Sequence, residues 1–107
     1  MSDLENLVPP LELCKLIPQG EFADSALVYI DAAGWRVCFR SELIEKCHND
    51  KTPAPTLQEI MASMPYCRVY KKTSNFYVAV KEKDRQVSFS GATAALKLWL
   101  KLKGIEA

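Results

Sequence analysis

The sequence predicts an α+β domain: an antiparallel sheet of hairpins with helices packed on one face, in the order α-ββ-α-βββ-α. Three observations carry this reading. Two runs rich in β-branched and aromatic residues flank a glycine-containing turn between Ala26 and Arg40. A second group of such runs fills Tyr66 to Gly91, punctuated by polar turns. The stretch ATAALKLWLKLKG then closes the chain with apolar residues at helical spacing. Hairpin-linked strands with helices between them bury their apolar sides as a sheet covered by helices.

Each element follows from local chemistry. Residues 1–8 are expected to fray. Pro9-Pro10 opens a short helix, because proline is accepted in a first turn. Leu13, Cys14 and Ile17 fall on one face of it, and Pro18-Gln19-Gly20 ends it. In the first hairpin the turn is Asp31-Ala32-Ala33-Gly34, with glycine where positive φ is needed. Trp35, Val37 and Phe39 then alternate with Arg36, Cys38 and Arg40, the pattern of a sheet with one buried face. Ser41 to Lys46 fits either a continued strand or a helical turn. The polar, proline-containing CHNDKTPAP, Cys47 to Pro55, reads as a loop.

Thr56 and Glu59 are spaced for a capping box, with Leu57, Ile60, Met61 and Met64 as the apolar stripe and Pro65 as the stop. Three strands follow: Arg68 to Lys72, Phe76 to Lys81 and Gln86 to Ser90. In the last helix Ala95, Leu98, Trp99 and Leu102 recur at i, i+3, i+4 and i+7, widened by Leu96 and Leu100. Lys97 and Lys101 lie on the opposite side, and Gly104 is placed to end the helix.

The 107 residues are read as a single domain, residues 1–107. With 49% apolar and 25% charged residues, a core can form without a metal or disulfide staple, and global disorder is excluded. No apolar run reaches the roughly 18 residues of a membrane span. The opening MSDLENLVPP lacks a basic start and an apolar core, so a cytoplasmic protein is expected. Cys14, Cys38 and Cys67 have apolar neighbours and read as small buried hydrophobes.

Charge is distributed unevenly. Residues 1–65 hold five basic against ten acidic side chains, and residues 66–107 hold nine basic against three acidic. The stretch YKKTSNFYVAV, Tyr70 to Val80, lies in the basic half. With Phe76, Val78 and Val80 on the core face beside Val69 and Phe89, the other face shows Arg68, Tyr70, Lys72, Tyr77 and Lys81. These five residues, with Lys97 and Lys101, form the candidate binding surface. Lysine and arginine beside exposed tyrosine suit phosphate contact and base stacking. They equally suit a solvated sheet face.

The order helix, three strands, helix in residues 56–103 is similar to that of a double-stranded RNA-binding domain, in element order alone. The lysine cluster that such domains carry at the start of the last helix is replaced by GATAALK, where only Lys97 is basic. SNFYVAV also lacks the Arg-Gly start of the RRM aromatic motif.

Catalytic signals are weak. Cys47-His48 is the one thiol–imidazole neighbour pair, and no third orienting group accompanies it. Cysteines in zinc-site pairs are missing, and four scattered glycines make no phosphate-cradling loop. No catalysis, metal, cofactor, membrane contact or small-molecule substrate is expected.

Two stretches taken together, PPLELCKLIPQGEFADSALVY and PAPTLQEIMASMP with the closing ALKLWLKLKG helix, resemble small uncharacterised proteins encoded by phages and prophages of gut bacteria. The resemblance implies a compact cytoplasmic domain of phage derivation and brings no site residues with it. The expected function is a non-catalytic protein-interaction module. Its acidic and basic halves suit a protein partner or a second copy of the chain. The alternative is nucleic-acid binding through the basic strand face and the C-terminal helix.

Overall fold

The computed structural model describes residues 3–31, 34–42, 51–74 and 76–105, and it has the α+β architecture expected. Helix α1, Leu11–Cys14, starts at Pro10, whose extended backbone serves as the N-cap. It buries Leu13 and Cys14, with Ile17 just beyond. Strands β1, Leu27–Asp31, and β2, Trp35–Phe39, pair antiparallel from Leu27 opposite Phe39 to Asp31 opposite Trp35. Gly34 has φ +112°, the left-handed region that the turn required. Ala32 and Ala33 lie outside the described residues.

At the start of the chain, Asp3–Leu7 forms a 3-10 helix, Val8 is buried and Leu4 packs on the core. Apolar Leu4 and Val8 gain more from burial than the short segment loses in freedom. One expectation is corrected in the first half of the chain. Within the expected loop, Lys51–Pro53 forms a strand, β3, antiparallel to β1 with Val28 opposite Pro53. Proline is tolerated there because β3 is an edge strand. Three residues are too few for alternation to reveal. Arg40–Glu42 is a 3-10 turn, and residues 43–50, including Cys47 and His48, lie outside the described residues.

Helix α2, Leu57–Ala62, begins with the capping box that the sequence predicts. The Thr56 N–H donates to Glu59 Oε1 at 2.8 Å, and the Glu59 N–H donates to Thr56 Oγ1 at 3.4 Å. Strands β4, Arg68–Thr73, β5, Phe76–Lys81, and β6, Asp84–Ser88, form a meander. The strands therefore divide into two three-stranded antiparallel sheets, ordered β2-β1-β3 and β4-β5-β6, with α2 between them in the chain.

Helix α3, Gly91–Leu102, joins the two halves. Ser90 caps it by accepting from the Thr93 N–H at 3.1 Å. Gly104, at φ +78°, ends it with Gly104 N–H to Lys101 O and Ile105 N–H to Leu100 O, a Schellman motif. Ala94, Ala95, Leu96, Leu98, Trp99 and Leu100 are all buried, far more than one stripe. Trp99 meets Phe22 with ring centroids 5.0 Å apart. The core around α3 draws on Leu13, Leu27, Tyr29, Ile60 and Ala79, hence on both sheets and on the other two helices. No helix among the described residues is long and apolar enough to cross a membrane.

Candidate functional site

The register of the second sheet decides which side chains share a face. Residues directly opposite one another in an antiparallel pair point to the same side. Val69, Ala79 and Gln86 are opposite one another, as are Lys71, Tyr77 and Ser88, and Lys81 pairs with Asp84. Helix α3 covers this side. Val69, Tyr77 and Ala79 join its core, and a Cβ on Gly91 would stand 3.5 Å from Val69 and 3.6 Å from Tyr77.

The other side contributes nothing to that core and, among the described residues, is bare of helix. It presents three rows: Arg68, Val80 and Arg85; then Tyr70, Val78 and Val87; then Phe76 with Phe89 beside it. The rows follow one another about 7 Å apart, two residues of strand rise. Phe76 and Phe89 stack, with centroids 5.3 Å apart and planes inclined by 29°. Exposure is 45% for Tyr70, 40% for Phe76, 41% for Val87 and 76% for Phe89. Val78 in the middle of this side is buried, and half-buried Val80 sits between two exposed arginines.

The expected assignment of faces is thus inverted over much of β5. Phe76, Val78 and Val80 lie on the bare face with Arg68, Tyr70 and Phe89, whereas Val69 faces the helix. Tyr77 and Lys81, expected outside with Arg68 and Tyr70, lie on the helix-covered side. The physical reason is that Phe76–Lys81 is apolar on both faces, so alternation does not choose between them. Packing against the helix does: Ala79 shares the core cluster with Ala94 and Ala95 of α3, and Val69 and Tyr77 lie next to Gly91.

The seven candidate residues consequently do not form one surface. Arg68 and Tyr70 belong to the bare face. Lys72 is exposed in the register shift between Lys71 and Thr73. Tyr77 is half-buried, with Lys71 Nζ 5.8 Å from its ring centroid. Lys97 is half-buried on α3, and Lys101 pairs with Asp84 at 3.3 Å, the one ion pair among the described residues. Both of its partners come from the basic half of the chain. Phe76, Arg85, Val87 and Phe89 were missed as surface residues. The apolar residues at 76, 78, 80 and 89 were visible, but they were assigned to the core.

Other polar groups are occupied by the fold. The Arg40 Nε donates to Ser25 O at 2.8 Å, and the Tyr29 hydroxyl donates to Pro9 O at 2.7 Å. Cys14 and Cys67 are free thiols, the first buried and the second half-buried. Burial, with a smaller contribution from Glu12, pushes the Cys14 thiol up to about 12. Burial also raises Cys67, against the opposing charge of Lys81. Neither is a low-pKa nucleophile. Among the described residues no three His, Cys, Asp or Glu side chains are grouped to hold a metal. An open groove of about 500 Å³ is lined by Cys14, Lys15, Glu21, Arg40 and Lys51 among others.

No protein-family model, curated protein or solved structure matches this chain.

Proposed function

We propose that this protein is a non-catalytic interaction module of the cytoplasm, and that it binds a protein partner through the bare face of β4, β5 and β6. One observation carries the reading: Tyr70, Phe76, Val87 and Phe89 are all substantially exposed on a single sheet face, opposite the face that α3 covers. Leaving aromatic surface in water forfeits burial energy, and contiguous patches of this kind mark interaction sites. The composition supports a protein partner. Tyrosine, phenylalanine and arginine concentrate in interface cores, while lysine is depleted there. Free thiols at Cys14 and Cys67 fit a reducing compartment.

The test is selection from a displayed library of random peptides on the immobilised chain, followed by binding assays on the variant Phe76→Ser/Phe89→Ser. Clones that bind the parent chain and lose binding to the variant support the reading. Clones indifferent to the two substitutions, or no clones at all, contradict it.

Nucleic acid is the second reading, favoured by the two arginines in the row next to Tyr70, with no acid among the strand residues of the face. It predicts oligonucleotide binding that weakens by orders of magnitude between about 50 and about 200 mM salt.

A further inference from the structure

The bare face is polar along its length, and this polarity specifies a partner. At one end Arg68 and Arg85 flank Val80 on the two outer strands, both exposed, and neither has an ion-pair partner among the described residues. The middle row is Tyr70, Val78 and Val87, and the far end is the Phe76–Phe89 stack. Phe89 also lines a groove of about 410 Å³ that it shares with Leu7, Leu57, Gly91 and with Tyr77 of the helix-covered side. The bare face itself thus runs from a cationic end through a tyrosine–valine middle to the phenylalanine stack.

We propose that this face docks an acidic, amphipathic peptide segment, with its carboxylates at Arg68 and Arg85 and its apolar side chains running over Tyr70 and Val87 to Phe76 and Phe89. The inference rests on the interaction-module reading above and adds the chemistry and direction of the partner. Charge complementarity carries it. The strand residues of this face include two guanidinium groups and no carboxylate, since Asp84 turns to the other side and pairs with Lys101. A guanidinium offers a planar fork that takes a carboxylate through two parallel hydrogen bonds, and such charge-assisted pairs outlast single neutral ones. Arginine surrounded by apolar surface is partly desolvated when a partner arrives. A partner without an acid there leaves it unpaired and is rejected. The apolar rows supply contact area, and the arginine row supplies the selection.

The experiment uses the full chain and a displayed library of random peptides of about twelve residues, longer than the face when extended. Selected peptides are synthesised and measured against the parent chain, Arg68→Gln/Arg85→Gln and Phe76→Ser/Phe89→Ser. Circular dichroism establishes that each variant is folded. The expected result is enrichment of sequences with an apolar cluster and acids toward one end. Their affinity falls about tenfold or more in the arginine variant, and also falls in the phenylalanine variant. Peptides that need Phe76 and Phe89 but show no acidic bias, and bind the arginine variant equally well, would overturn this inference while leaving the interaction-module reading standing. Absence of any peptide that needs the two phenylalanines would overturn both. Oligothymidylate that binds the parent chain in a salt-sensitive manner, and fails to bind the arginine variant, would assign the arginine row to nucleic acid and overturn the peptide assignment.

Discussion

Phe76 and Phe89 stack on one another across the end of the second sheet, and Phe89 nonetheless leaves 76% of its surface in water. A ring placed so adds little to the folded state. Phe89→Ser is therefore expected to cost at most about 1 kcal/mol, the lost aromatic pair. Leu98→Ala, which empties a fully buried position in α3, should cost about 2–5 kcal/mol. Urea midpoints at matched slopes measure both. Equal losses would mean that Phe89 is part of the core.

Glu59 ties helix α2 to the start of β1. Its Oε1 accepts from the Thr56 N–H within the capping box, and its Oε2 accepts from the Ala26 N–H at 3.0 Å, thirty-three residues away in sequence. Glu59→Ala removes both bonds and is expected to destabilise the chain by about 1–3 kcal/mol. Amide exchange at Ala26 should quicken with it. Unchanged exchange would limit the role of Glu59 to the cap.

Gly91 stands where α3 meets the sheet, and a Cβ there would come within 3.1 Å of the Leu57 Cδ2 methyl. That methyl is the end of a flexible, half-buried side chain. Its retreat and the gain in helix propensity roughly offset, so Gly91→Ala should change stability by less than about 0.5 kcal/mol. Gly91→Val, whose branches meet Val69 and Tyr77 as well, is expected to cost about 1–3 kcal/mol. Thermal melts of the two variants give the comparison, and a valine as benign as the alanine would show the junction to be looser than its distances imply.

Cys14 is fully buried, and its thiol donates to Pro9 O at 3.6 Å. In the folded chain it titrates near 12, against an ordinary 9.0. Between these two values the unfolded chain releases the proton and the folded chain keeps it. Stability contributed by this group is thus intact below pH 9 and falls as pH rises toward 12. Peptide mapping after iodoacetamide at neutral pH should find Cys14 the slowest of the thiols at 14, 38 and 67, and should find it accelerated by urea. Fast native labelling of Cys14 would contradict this.

Much of the fold is legible in local sequence. The Thr56/Glu59 box, the Gly34 turn and the Gly104 helix end each depend on a few neighbouring residues with a fixed chemical role. Strand β3 was not legible, because three residues beside prolines show no period and take their shape from pairing with β1. The candidate site was legible in part. Arg68 and Tyr70 were placed on an outer face, but the side of β5 that meets α3 depends on the packing of Ala79 with Ala94 and Ala95 and of Val69 and Tyr77 beside Gly91. Those residues are brought together only by the fold. The same packing turned Tyr77 and Lys81 away from the surface that the sequence suggested and exposed Phe76, Val87 and Phe89 in their place.

The bare face of β4, β5 and β6 as the working surface is the central claim, and chemical-shift mapping tests it most directly. A peptide selected on the parent chain alone, before any variant is used, is titrated into the isotope-labelled full chain. The account predicts the largest amide shifts at Tyr70, Val78, Val87 and Phe89, with small shifts at Lys97 and Lys101. Largest shifts on the outer side of α3 or along the edge of the first sheet, at Trp35 or Lys51, would contradict it.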